Sequence, residues 1–74
     1  MSRSYIFNGF LSPEKCQQFY RGEVKYVIVT ADSGERVQLA LRHFQPFISH
    51  LGIRGRFRLT LTDNGDFLRL EKIS

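Results

Sequence analysis

Arginine is the residue type in this sequence with the clearest capacity for binding chemistry. No aspartate or glutamate lies between Glu35 and Asp63. The arginines within that interval are Arg36, Arg42, Arg54, Arg56 and Arg58. A guanidinium group binds phosphate or carboxylate through two parallel hydrogen bonds, whereas lysine acts as a point charge. We therefore predict an anion-binding surface made by these five arginines, with RNA or DNA as the expected partner.

Three of these arginines follow an alternating pattern. Arg54, Arg56 and Arg58 occupy every second position, and Phe57, Leu59 and Leu61 occupy the opposite phase. Residues two apart on a strand share a face and are separated by about 6.6 Å. The pattern predicts a strand carrying a ladder of arginines, with a pitch of roughly two nucleotide steps along a phosphate backbone. Exposed aromatic residues nearby could stack on bases; the candidates are Phe44, Phe47 and Tyr26.

The same alternation is equally typical of a solvated outer strand face. In that interpretation the arginines pair with carboxylates on neighbouring strands and have no ligand. Asp63, Asp66 and Glu71 are the acidic residues nearest to the ladder in the sequence. The two interpretations differ in whether the guanidinium groups are free.

Residues with catalytic potential are few and scattered. Cys16 lies on the predicted buried side of a helix, where a packed and unreactive thiol is expected. His43 and His50 are seven residues apart with no clear third metal ligand. No pair of acidic residues is placed for acid–base work. We predict no catalytic residue, no cofactor site and no metal site, and hence a non-enzymatic domain.

Two other functional classes remain open. A protein-interaction module or a homodimer would use an exposed sheet edge or the apolar segment 44–51. An enzyme of unknown type would need a cleft around His43 or His50.

Length and composition predict one small globular domain covering residues 1–74. Seventy-four residues form one core, and 42% hydrophobic residues indicate an ordered chain. The net charge is +4, and eight of the eleven basic residues are arginine. A single cysteine precludes an internal disulfide and fits a reducing compartment. With no signal peptide or spanning segment in the pattern, we expect a cytoplasmic protein without membrane association.

The hydrophobic pattern predicts an α+β fold in the order strand, helix, strand, strand, turn, strand, strand. The predicted strands are Tyr5–Leu11, Lys25–Thr30, Arg36–Leu41, Arg54–Thr62 and Phe67–Ile73. Turn signals at 32–34 and 63–66 join the last four strands into two hairpins. We expect a mainly antiparallel sheet of about five strands, with a partial barrel as one form of it, and one helix covering an open face.

One short helix is predicted between the first two strands. Ser12 is a good N-cap, Pro13 suits the first helical position, and Gly22 is placed to end the helix after Arg21. Its expected buried stripe is Cys16, Phe19 and Tyr20. For segment 41–53, Pro46 disfavours a regular α-helix, so we expect a single helical turn or a structured loop ending at Gly52.

Four short segments together resemble a family of small bacterial proteins, the domain of unknown function 2835. They are FYRG at 19–22, VQL at 37–39, PFI at 46–48 and GIRGRF at 52–57. The resemblance spans about residues 5–70. The sequence departs from the family pattern at 39–40, where phenylalanine-proline is expected, and at Gln45, where arginine is expected.

The family resemblance implies a stand-alone bacterial protein of one domain and carries no activity with it. Its two glycines at 52 and 55 fit backbone requirements at the start of a strand. Phe47 and Phe57 fit core positions. The missing arginine at Gln45 weakens the segment around Pro46 as an anion site.

Overall fold

A computed structural model describes residues 2–74 and confirms an α+β fold with the predicted order of elements. The strands are β1 (Ser2–Leu11), β2 (Tyr26–Thr30), β3 (Arg36–Ala40), β4 (Ile53–Thr62) and β5 (Phe67–Lys72). Helix α1 (Pro13–Tyr20) follows the first strand, and a 3₁₀ helix covers Leu41–Phe47. Neither of these helices is long and apolar enough to span a bilayer.

The five strands form two antiparallel sheets, and within residues 2–74 they do not close into a barrel. One sheet has the order β1-β4-β5, and the other is the β2-β3 hairpin. Both predicted hairpins are present. The N-terminal strand pairs with the fourth strand over ten consecutive residue pairs, from Ser2 opposite Thr62 to Leu11 opposite Ile53. The long β1–β4 ladder is therefore the backbone of the fold.

The β1–β4 register places the largest core side chains on one face of that sheet. Phe7, Phe57 and Leu59 are fully buried. The rings of Phe7 and Phe57 stack with their centroids 5.7 Å apart. A Cβ at Gly9 would lie 2.5 Å from the Phe57 ring, so the strand needs a glycine there to admit that ring. Alternation then turns Arg54, which is exposed, toward the opposite face.

The helix α1 begins and ends by the predicted signals. The Ser12 side chain accepts a hydrogen bond from the Lys15 N–H, and Pro13 occupies the first turn. Gly22 has φ +78° and donates its N–H to the Phe19 carbonyl. Cys16 is buried as expected. Tyr20 was predicted to be buried and is 60% exposed, because so short a helix presents only a narrow face to the core.

A spacing of three residues explains the 3₁₀ helix at Leu41–Phe47. Leu41 and Phe44 are buried and Phe47 is half-buried. A 3₁₀ helix has three residues per turn, so these side chains align on one face. The rings of Phe44 and Phe47 meet the Phe57 ring edge-on, at centroid distances of 5.3 and 5.4 Å. The segment is longer and more regular than the single turn or loop predicted from Pro46.

The glycine at position 52 is required by both backbone conformation and space. Gly52 has φ +86°, and a Cβ there would lie 2.0 Å from the Leu11 carbonyl oxygen. We predict that Gly52→Ala lowers the free energy of unfolding by more than Gly34→Ala. Gly34 has φ +91° with nothing near its Cβ position, so its substitution isolates the backbone penalty of about 1–3 kcal/mol.

Urea denaturation of both variants measures the difference, which we expect to be at least about 1 kcal/mol. Equal losses in the two variants would show that the close approach to Leu11 has no energetic weight.

Candidate anion-binding face

The arginine ladder lies on the outer face of the β1-β4-β5 sheet, as the alternation predicts. Arg54 and Arg58 are exposed and Arg56 is half-buried, while Phe57 and Leu59, at the alternate positions of the strand, face the core. Thr60 continues the outer face yet is only 3% exposed, and its hydroxyl oxygen has no hydrogen-bond partner among residues 2–74. The polar ladder therefore ends at Arg58.

Carboxylates meet two of the three ladder arginines. Arg56 forms an ion pair with Asp32 and donates to the Asn8 side-chain oxygen at 2.9 Å. Arg58 lies 3.4 Å from Glu71, which also pairs with Arg69 at 3.2 Å. Pairing with carboxylates on neighbouring strands was the alternative interpretation of the pattern, and it holds for Arg58, whereas Arg56 pairs with a carboxylate in a turn. The partner Asp32 was not anticipated, because it lies 24 residues earlier in the turn after β2.

Arg54 is the ladder residue that has no carboxylate partner among residues 2–74. Its guanidinium carbon lies 5.6 Å from the centroid of the Phe10 ring, which occupies the paired position on β1. Phe10 is 68% exposed. A cation over an aromatic face is a favourable contact that leaves the guanidinium edge available to a ligand.

The exposed aromatic beside the ladder is a different residue from those predicted. Phe44 is buried and Phe47 is half-buried against Phe57, so neither ring is free to stack on a base. Tyr26 is exposed but lies on β2 of the other sheet. The position of Phe10 in β1 indicated that its side chain would be exposed. It lies on the same strand face as Ile6 and Asn8, opposite to the face of the buried residues.

Two of the five predicted arginines lie on elements other than β4. Arg36 is exposed on β3, opposite Thr30 in the hairpin, and Arg42 is exposed on the 3₁₀ helix. Leu39 of β3 and Phe44 of the 3₁₀ helix belong to the same core cluster as Phe7 and Phe57. The register carries Arg36 to the outer face of β3, in line with Thr30, Asn8 and Arg56, whereas Arg42 lies on a separate element.

The ladder face remains positive after its ion pairs are counted. Four arginines and two carboxylates meet there, which leaves a net charge of +2. The paired side chains are 37% to 68% exposed. Ion pairs between exposed groups contribute about 0–1 kcal/mol. A multivalent anion can therefore replace these carboxylates at small cost.

The remaining candidate residues lie apart from the ladder. Burial raises the pKa of the Cys16 thiol, which disfavours the reactive thiolate. The His43 ring stacks on Phe67 with centroids 3.6 Å apart. Residues 2–74 contain no group of three or more histidine, cysteine or acidic side chains able to hold a metal ion.

Comparison with known families bears out the resemblance found in the sequence. The family model described as "Protein of unknown function (DUF2835)" matches residues 3–73. The chain belongs to this family. No curated protein and no solved structure matches it. Family membership thus covers the whole fold and supplies no activity, so function is argued from the geometry of this chain.

The His43 environment predicts a dependence of stability on pH. Desolvation, and next the positive charge of Arg42, lower the pKa of His43 below its ordinary value of 6.5. Arg69 lines the same hollow and adds positive charge. The unfolded chain then binds more protons than the folded chain below pH 6.5, so stability falls as pH decreases through that value.

The free energy of unfolding of the unchanged protein should decrease between about pH 7 and about pH 5.5. We predict that this decrease is smaller in His43→Gln, and that Arg42→Gln reduces it to a lesser extent. Urea denaturation at a series of pH values provides the measurement. An unchanged pH dependence in His43→Gln would contradict the assignment.

Proposed function

We propose that this domain is a non-enzymatic binding module that holds single-stranded nucleic acid on the outer face of its three-stranded sheet. The observation that carries the proposal is the exposed Arg54 guanidinium beside the exposed Phe10 ring. An aromatic ring that stacks on a base, next to a cation that contacts the adjoining phosphate, is the usual arrangement for binding single strands.

The form of the face favours a single strand over a duplex. Base stacking on Phe10 needs an unpaired base, which a duplex does not offer without opening. The side chains around the ring project from the face of a three-stranded sheet, which is broader than the α-helix or two-stranded ribbon that the major groove admits. Stacking and phosphate contacts do not read the edges of the bases. We therefore expect the face to bind different nucleotide sequences about equally well.

Arg56 and Arg58 extend the contact along the strand. Both are on the same face as Arg54 at successive alternate positions of β4. Phosphates can replace Asp32 and Glu71 as their partners, because exposed ion pairs are weak. Three arginines would then give three phosphate contacts instead of the five predicted from sequence.

This count predicts the salt dependence of binding. Three contacts give a log–log slope of about −2 for a single strand, against about −3.5 for five contacts. Fluorescence anisotropy with a labelled oligonucleotide of roughly 12 nucleotides, at several salt concentrations, measures the slope. We expect Arg54→Ala to make the slope less negative by about 0.7.

Matched variants separate the face from general charge. Lys15→Ala removes the same charge from an exposed position of helix α1 and should leave the slope unchanged. Phe10→Ala should weaken binding about 5- to 150-fold, in line with about 1–3 kcal/mol per stacked base, whereas Phe10→Tyr keeps a ring and should retain most of the affinity. Absence of binding to single-stranded RNA and DNA at low salt would end the proposal, as would equal effects of Lys15→Ala and Arg54→Ala.

A further inference from the structure

The two sheets meet edge to edge at a single point and then separate. Phe7 of β1 and Ala31 form one antiparallel bridge, next to a hydrogen bond of 2.8 Å from the Asp32 N–H to the Ile6 carbonyl. Beyond this bridge the strands diverge around a cavity of about 280 Å³. Its walls are residues 8–11 of β1 and residues 27–30 of β2.

The backbone of β1 presents polar groups to this cleft. In an antiparallel strand the N–H and C=O of one residue point to the same side, and the side alternates along the chain. The Ile6 carbonyl points toward the β2 side, since it accepts from Asp32. Phe10, four residues further along, has the same phase, and its pairing with β4 leaves that side of its backbone without a strand partner.

The backbone of β2 presents a matching set from the opposite wall. The Lys25 carbonyl and the Ala31 N–H bond to the β3 side, so odd-numbered residues of the strand face β3. Ile28 therefore directs its N–H and C=O toward β1, and none of the strand pairings among residues 2–74 satisfies them on that side. Two sheet edges with free backbone groups thus face each other across the cleft.

Apolar side chains line both the floor and the rim of the cleft. Its floor includes Leu41, Phe44 and Ile53, all buried in the core. Its rim includes Phe10, which is 68% exposed, and Ile28, which is 55% exposed. An extended chain alternates its side chains between two faces. One side chain would meet the floor, and the next would lie between the two rim residues.

We propose that this cleft accepts an extended acidic segment of a partner protein as an added strand between β1 and β2. Four residues line each wall, and alternation directs the N–H and C=O of Phe10 and Ile28 into the gap, because Asn8 and Thr30 flank the Phe7–Ala31 bridge. Addition of a strand to free sheet edges is an established mode of peptide recognition, in which backbone hydrogen bonds supply the affinity. The added strand would join the two sheets into one.

The charges near the cleft select an acidic segment. Arg54 next to Phe10 and Arg36 opposite Thr30 have no carboxylate partner among residues 2–74, and they lie on opposite sides of the cleft. The acid at the closed end, Asp32, is already paired with Arg56. A second copy of this chain fits less well. Its free edges are the basic strands β3 and β5.

This site is distinct from the proposed nucleic-acid face, although the two share Phe10 and Arg54. The nucleic-acid face uses side chains, whereas the cleft uses backbone groups spaced as in a sheet edge. A sugar–phosphate chain has no repeating N–H and C=O groups to pair with them.

The test uses a capped seven-residue peptide that alternates glutamate with valine. Titration calorimetry measures its binding to the full chain, and amide hydrogen exchange followed by NMR locates it. We expect the exchange of the Phe10 and Ile28 amides to slow at least about tenfold when the peptide binds. The same peptide methylated on alternate backbone nitrogens should bind at least about tenfold more weakly, because it lacks the donors for one cleft wall.

A matched pair of variants places the peptide in the cleft. Ile28→Glu puts a negative charge on the rim, at an exposed position that does not support the core, and should weaken peptide binding at least about tenfold. Asn64→Asp adds the same charge in the exposed β4–β5 turn, at the end of β4 opposite to Ile53 and the cleft, and should weaken it less than about threefold.

Four results would overturn the proposal. They are equal binding of the methylated peptide, unchanged exchange at Phe10 and Ile28 when the peptide is added, slowing of the Ile28 amide by an oligonucleotide in place of the peptide, and concentration-dependent slowing in the protein alone. The third would assign the cleft to nucleic acid and the fourth to a second copy of this chain.

Discussion

The in-register pairing of β1 with β4 is the constraint on which the rest of this structure depends. Ten consecutive residue pairs set one phase for both strands. Phe7 and Phe57 then stack inside the core, and Gly9 leaves room for the Phe57 ring. A shift by one residue would place these rings in water and the arginines in the core. The buried rings and the exposed cations are therefore two results of one register.

The core lies on the same side of both sheets where they meet. Phe7 and Ala31 are both buried where β1 and β2 touch, so the two strands agree on which side is the core. They then separate, with core residues such as Leu41 at the bottom of the gap. When a sheet is split in two, additional strand edges are left unpaired. The backbone N–H and C=O groups along these edges lack the hydrogen bonds that a neighbouring strand would supply. Both proposed binding surfaces lie beside this split.

The tertiary structure changed the prediction of the charged surface more than it changed the prediction of the fold. The sequence shows a run of five arginines without acids, and an uninterrupted basic surface was the natural hypothesis. Folding brought Asp32 and Glu71 to two ladder arginines. Local charge counts cannot detect partners that are distant in sequence. What remains is a smaller and more specific arrangement, the free cation of Arg54 over Phe10.

The sequence by itself determined the elements and the phase of β4, because alternation, the Ser12 cap and the glycine turns act over a few residues. It indicated the arginine ladder for the same reason. Only the tertiary structure decided that β1 pairs with β4, that the β2-β3 hairpin forms a separate sheet, and that Phe10 lies under Arg54. The β1–β4 pairing and the Phe10–Arg54 contact join residues more than 40 positions apart. Such contacts follow from how the whole core packs and leave no local pattern in the chain.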